Sequence, residues 1–229
     1  MDISFILVEP AVPENIGSAA RAINTMGFTD LRLVNPTNHL ADEARWLAHG
    51  SNEILENAKV FDHFDKAISD LDFVIGTTAK ERSAKHDYYS PGSARKLIEI
   101  KTGVVSKVGI VFGREESGLK NEELACCDIA STIPLANPYP SLNLAQSVML
   151  YAYVFSGLKK SNKSGDILSK ENSHLFQELK SVSSGILQFL KIGKGSNLHH
   201  RILERMATIN QDDAHLFLSF AKKFKQKFE

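Results

Sequence analysis

Short apolar runs alternating with helical patterns predict an α/β fold, a parallel sheet flanked by helices. Three observations carry this. The runs are continuously apolar, as in FVIG at 73–76 and GIVFG at 109–113, the mark of strands covered on both faces and so of a parallel sheet. The stretches between them repeat apolar residues at helical spacing. A segment rich in Lys, Ser, Asn and Gly at 159–172 then separates this alternation from a tail with helical patterns only.

The predicted strands are 3–8 (ISFILV), 31–34 (LRLV), 72–76 (DFVIG), 108–113 (VGIVFG) and 129–135 (IASTIPL), each bounded by polar or turn residues. Ile16, Ala19, Ala20, Ile23 and Met26 share one helical face, and Gly27 follows as a stop. Leu40, Ala44, Leu47, Ala48 and Leu55 predict a helix over 40–57. Residues 142–158 are apolar around most of a helix, which is expected to be buried against the sheet or a partner subunit. Leu175, Phe176, Leu179, Val182, Ile186, Phe189 and Leu190 mark an amphipathic helix over 173–192, with two more over 197–209 and 212–228. The expected organisation is a domain at 1–158, a linker at 159–172 and a helical extension at 173–229, the last marginal as an independent fold.

Composition removes several function classes. Of 229 residues, 43% are hydrophobic and 24% charged, which excludes disordered and fibrous chains. Cys126 and Cys127 are the only cysteines and are adjacent, so a disulfide scaffold and a four-thiolate zinc site are excluded. His199 and His200 are the only neighbouring histidines; adjacent helical positions diverge by about 100°, so they read as surface histidines rather than a metal pair. No stretch approaches the roughly 18 apolar residues of a membrane span. Met1–Glu9 lacks the basic flank and cleavage site of a signal peptide, and the cytoplasm is the expected compartment. Glycine-rich dinucleotide, P-loop and nucleophile-elbow motifs are all missing.

Three segments carry the chemistry. The first runs from Glu14 to Arg21 after the first strand, where open α/β sheets place their sites. Asn15 is expected to cap the helix, and the small residues Gly17, Ser18, Ala19 and Ala20 admit another backbone or a ligand. A capped helix with a surface Arg21 explains the same residues. The second runs from Val111 to Leu119: Gly113 lets a backbone pass close to a bound group, and Glu115 emerges at the sheet's edge. An ordinary strand-to-helix turn would look alike. The third runs from Ile133 to Leu144, where Pro134, Pro138 and Pro140 brace an extended loop ahead of Ser141 and Asn143. It suits recognition of a flat heterocycle and an amino-acid moiety, or it simply braces a helix start.

Together, N-x-G-x-x-x-R, F-G-x-E-x-x-G-L and I-P-L…S-L-N-L in this order resemble the SpoU/TrmH branch of the SPOUT RNA 2′-O-ribose methyltransferases. VEPAVPENIGSAARAINTMGFTDLRLVNP and NPYPSLNLAQSV are similar to the opening and third motif of the TrmJ/LasT-like subgroup, tRNA methyltransferases acting on the ribose at anticodon-loop position 32. The resemblance spans roughly residues 3–157.

The resemblance implies a trefoil knot in the C-terminal part of the sheet domain, holding S-adenosyl-L-methionine largely through main-chain groups. Carried onto this chain, the cofactor residues are Thr77, Thr78, Ala79, Gly113, Ile133, Leu135, Ser141 and Leu142. The catalytic set is Arg21, Asn15, Glu115, Ser141 and Asn143. Since a guanidinium is a poor base, Arg21 is expected to bind phosphate and stabilise the alkoxide. Glu115 would orient Asn15 or Arg21, and Ser141 and Asn143 would position ribose or cofactor. No metal is implied. The resemblance also implies a homodimer with its active site at the interface, for which the helix over 142–158 is a candidate, and an RNA partner, tRNA first. Alternatives are rRNA, another tRNA nucleotide, or an inactive RNA-binding protein of the same fold. Lys80, Arg82 and Lys85 read either as phosphate contacts or as solvated side chains.

The 27 basic and 27 acidic residues cancel only in sum. From residue 159 onward there are 13 basic and 7 acidic residues; before it, 14 and 20. A mildly acidic domain thus carries a basic tail, expected to supply phosphate-binding surface.

Overall fold

The computed structural model describes residues 1–137, 139, 141–161 and 174–228. Its sheet has seven strands: β1 (Asp2–Val8), β2 (Asp30–Val34), β3 (Lys59–Phe61), β4 (Phe73–Thr77), β5 (Tyr88–Tyr89), β6 (Lys107–Phe112) and β7 (Ile129–Ser131). They lie in the order β3-β2-β1-β6-β4-β7-β5, and every pairing is parallel. The helices are α1 (Pro13–Thr25), α2 (Asp42–Leu47), α3 (Asn52–Glu56), α4 (Phe64–Ile68), α5 (Pro91–Glu99), α6 (Asn121–Cys126), α7 (Leu144–Ser161), α8 (Leu175–Phe189), α9 (Asn197–Met206) and α10 (Gln211–Phe228).

Both sheet faces are covered, which is why the strands read as continuous apolar runs. Phe5 and Leu7 face one side with Phe28, Phe112, Tyr151 and Phe155. Ile6 and Val8 face the other with Val34, Val111 and Leu124. Phe112 meets Tyr151 edge-on at 5.4 Å between ring centres, which seats α7 on the central strands, and Phe5 meets Phe28, after α1, at 5.2 Å.

Several elements differ from the sequence expectation. β3 and β5 are three and two residues long, too short to show a period. The helix expected over 40–57 is two, α2 and α3, parted at Gly50, whose φ of 72° an L side chain rarely adopts. The last strand stops at Ser131 instead of residue 135; beyond it Pro134 has no N–H to give a ladder. Asn15 does not cap α1: Val12 holds that position, Pro13 opens the helix, and the Asn15 side chain is used elsewhere. α7 begins at Leu144 and runs to Ser161, so the first three residues of the expected linker 159–172 are helical, and the rest lie outside the described residues.

The helical tail packs on the sheet domain. Leu175, Phe176, Leu179, Ala207, Ala214 and Leu218 belong to the same apolar cluster as Phe73, and the Phe73 and Phe176 rings lie 5.5 Å apart. Lys180 Nζ donates to the Asp72 carbonyl at 2.8 Å and to Asp128 Oδ2 at 3.0 Å. His174 Nδ1 lies 3.0 Å from Asp72 Oδ1, while the other Asp72 oxygen accepts from the Ser106 and Lys107 N–H groups at 2.8 Å. Buried Lys101 donates to the Ile209 carbonyl and sits 4.9 Å from the Phe176 ring centre. Burial lowers its pKa to about 8, against the pull of Asp128. His199 is buried beside Ser184 rather than on the surface, because α9 turns that face onto α8. Among the described residues no helix is long and apolar enough to cross a membrane.

Candidate active site

The carboxyl ends of β4 and β6 and the loop after β7 open onto one cavity of about 340 Å³, within the usual range for small-molecule sites. Thr77, Thr78, Ala79, Gly113, Ile133, Leu135, Ser141 and Leu142 all line it. The loop after β4 and the second and third motif segments, distant in sequence, therefore meet where the sheet ends. Thr77 Oγ1 donates to the Val111 carbonyl at 2.8 Å, and Thr78 Oγ1 to the Lys80 carbonyl at 2.7 Å. With these hydroxyls engaged inside the chain, the loop presents mainly backbone to the cavity.

The lining combines apolar Phe112, Ile133, Leu135, Leu142, Leu144 and Tyr151 with the polar Ser117, Ser141 and Ser147 and with charges of both signs, Glu115 and Glu116 beside Lys80, Arg82 and Arg114. The Tyr151 hydroxyl donates to Ser131 Oγ at 2.7 Å, and Ser131 Oγ donates to the Tyr89 carbonyl at 2.8 Å. Burial pushes the Tyr151 phenol up, against the Ser131 bond, so it stays a neutral donor. Such a lining suits a flat heterocycle against the apolar side chains and a polar moiety among the hydrogen-bonding groups.

Two glycines are explained by the chain itself. A Cβ on Gly113 would lie 2.1 Å from both the Gly118 carbonyl carbon and the Leu119 nitrogen. The returning loop therefore packs directly on Gly113, which also lines the cavity. A Cβ on Gly17 would lie 2.0 Å from the Ala44 carbonyl oxygen, so the small stripe of α1 admits α2.

Arg114, to which sequence reasoning gave no role, locks this loop. Its guanidinium donates to Glu9 Oε2 at 2.7 Å and to both Glu123 oxygens at 2.9 Å. Hydrogen bonding to Glu123 and then Glu9 raises its pKa, and the same contact lowers that of Glu9. Glu9 has a φ of 47°, a left-handed turn at the end of β1 that this bridge holds in place. An arginine between Gly113 and Glu115 was the available signal, but its partners lie 105 and 9 residues away.

A relay of amides and a carboxylate joins the three segments. Glu115 accepts from the Ala11 N–H at 3.1 Å, the Val12 N–H at 3.4 Å and Asn15 Nδ2 at 3.1 Å. Asn15 Oδ1 in turn accepts from Asn143 Nδ2 at 2.8 Å. Asn143 Oδ1 accepts from the Ala145 N–H at 2.7 Å, so Asn143 rather than Ser141 stands at the start of α7. Arg21 is not part of this relay. It lies exposed beyond the cavity lining, and among the described residues no hydrogen bond or ion pair engages its guanidinium. Arg82 donates to the Leu119 and Ser117 carbonyls, at 3.0 and 2.7 Å, and Lys85 is buried with Nζ on the Cys127 carbonyl. Both brace the loop, whereas Lys80 is exposed at the cavity.

A larger hollow of about 570 Å³ lies at the opposite sheet edge, around Asp2, Asp30 and Lys59. None of the candidate catalytic or cofactor residues lines it, and Asp30 is already paired with Lys59 and Arg32.

Residues 2–153 match the SpoU rRNA methylase family. The chain is 41% identical over 213 residues to "Uncharacterized tRNA/rRNA methyltransferase LasT" of Escherichia coli (strain K12), spanning 93% of this chain and 92% of that protein. It is 41% identical over 181 residues to the "tRNA (cytidine-2'-O-)-methyltransferase TrmJ" of Methanocaldococcus jannaschii, 77% of each. The crystal structure of TrmJ from Z. mobilis ZM4 superposes with a TM-score of 0.68 at 26% identity, covering 98% of this chain and 100% of that one. With a parallel sheet whose carboxyl edge gathers the second and third motifs, and the first tied to them through Asn15, this chain belongs to the SpoU rRNA methylase family.

Proposed function

We propose that this protein transfers a methyl group from S-adenosyl-L-methionine to a ribose 2′-hydroxyl of tRNA, at position 32 of the anticodon loop. The observation that carries this is the meeting of the second and third motifs and the Thr77 loop in one cavity, with Asn15 of the first motif hydrogen-bonded to Glu115 and Asn143, in a chain 41% identical to a tRNA cytidine 2′-O-methyltransferase. The donor supplies a methyl group already activated by its sulfonium centre. The residues have to hold it, exclude water and align the hydroxyl.

Ile133, Leu135 and Leu142 would sandwich the adenine, and Ser141 would meet a polar edge of the donor or of the ribose. Asn15, held by Glu115, and Asn143, held by Asn15, offer fixed amides for the ribose. A 2′-hydroxyl is a poor nucleophile until its proton leaves. Arg21 would bind the neighbouring phosphate and stabilise the developing alkoxide.

Arg21 is exposed and lies outside the cavity lining of its own chain, which supports a homodimer in which it serves the partner's site. The outer face of α7, with Leu150 and Tyr153 exposed, is the proposed contact. The trefoil knot implied by family membership, the division into domain, linker and extension, and a cytoplasmic setting alongside tRNA belong to the same proposal. Calorimetric titration with S-adenosylhomocysteine tests the site: saturable heat with one site per chain is expected. No heat at millimolar ligand contradicts it.

A further inference from the structure

We propose that Glu204, on helix α9 of the helical tail, is a positioning residue for the donor loop, so that the tail sets affinity for S-adenosylmethionine. The inference rests on the methyltransferase reading of the cavity. Glu204 is 2% exposed, an unusual place for a carboxylate on a basic tail. One of its oxygens accepts from the backbone N–H groups of His86 and Asp87, at 3.1 and 3.0 Å. The other accepts from Arg201 at 3.1 Å. Asp87 is held in turn by Arg201 at 2.9 Å and Arg205 at 3.2 Å.

These contacts grip the far end of the segment that begins at Thr77 and lines the cavity through Arg82. Its near end is fixed by the sheet, through the Thr78 N–H on the Ser131 carbonyl at 3.0 Å. A ligand held by backbone atoms binds well only if that backbone is already in place. Two backbone N–H groups on one buried carboxylate are a strong, directional way to place it. The clamp acts through the loop, since Glu204 does not line the cavity.

The test compares Glu204→Ala, Glu204→Gln and Lys222→Met in the full chain, at a temperature where each is folded by circular dichroism. Lys222→Met removes a tail contact to Glu178 that is remote from the loop. Glu204→Ala is expected to weaken S-adenosylhomocysteine binding about tenfold, with KM for the methyl donor raised in step and KM for tRNA within twofold. Glu204→Gln keeps an acceptor for the two N–H groups and is expected to lose about threefold; it carries the test if the alanine variant does not fold. Lys222→Met is expected to bind like wild type. Wild-type donor affinity in folded Glu204 variants overturns the proposal, as does an equal loss in Lys222→Met. Failure of the wild-type protein to bind S-adenosylhomocysteine removes the methyltransferase reading itself, and this inference with it.

Discussion

Gly113→Ala is the most severe single-methyl change at the site. The added Cβ would stand 2.1 Å from the Gly118 carbonyl carbon and the Leu119 nitrogen, and 2.6 Å from the Gly118 oxygen. Real contacts of this kind stay beyond 3.0 Å, so the two backbone segments must part by about 0.9 Å. No rotamer relieves this, because every atom involved is main chain or Cβ. The loop is closed by two bonds, Arg114 N–H to the Gly118 carbonyl at 3.2 Å and Gly118 N–H to the Arg114 carbonyl at 2.9 Å. Parting by that distance takes both out of hydrogen-bonding range. Two net backbone bonds at about 1 kcal/mol each, with about 1 kcal/mol of residual overpacking, give a loss of about 3 kcal/mol. For a chain of this size that is a fall in Tm of roughly 6–12 °C by calorimetry. Because Gly113 to Gly118 line the cavity, S-adenosylhomocysteine affinity should fall at least tenfold in the same protein. A Tm within 1 °C of wild type together with unchanged affinity would refute the packing argument.

Other consequences follow from the same geometry. Arg21→Ala should lower methyl transfer by about 10²–10³-fold while S-adenosylhomocysteine binds within twofold of wild type; retained turnover removes Arg21 from the chemistry. Glu115→Gln replaces one acceptor oxygen with a donor and weakens the hold on Asn15, so kcat/KM should fall about tenfold; wild-type kinetics would show that the relay has no catalytic role. Arg32, through its hydrogen bond and then its charge, holds the Asp70 carboxyl at about 2. That pKa lies below the unfolded value, so the contribution is complete above about pH 4 and is lost as pH falls towards 2. Asp70 is nearly half exposed, so screening keeps the effect under about 1 kcal/mol, and Asp70→Asn should flatten the acid limb of Tm against pH; an unaltered limb places the acid sensitivity elsewhere.

The sheet class and its central strands were legible because burial on both faces writes long apolar runs, as in β1 and β6. The edge strands β3 and β5 were not, since their two or three residues carry no period. The cavity residues came from motif resemblance, and the eight named for the donor line a single hollow. What remained hidden depends on contacts remote in sequence. The roles of Arg114, of Glu204 and of Gly113 each depend on a partner that no local pattern names. Asn15 shows the opposite case: local preference pointed to a helix cap, but Pro13 opens the helix two residues earlier and the Asn15 side chain donates to Glu115, 100 residues away. The segment-wise charge makes a basic tail, yet Arg201 and Arg205 face Asp87 and Glu204 within the fold, so part of that charge is committed to structure.

The central claim is ribose methylation of tRNA, and mapping 2′-O-methyl groups by mass spectrometry in RNA from cells lacking this protein tests it most directly. One mark should disappear, at position 32 of the anticodon loop, and return with the wild-type chain but not with Arg21→Ala. A mark lost from rRNA or from another tRNA nucleotide would keep the chemistry and change the target. An unchanged 2′-O-methyl map across all RNAs would contradict the claim.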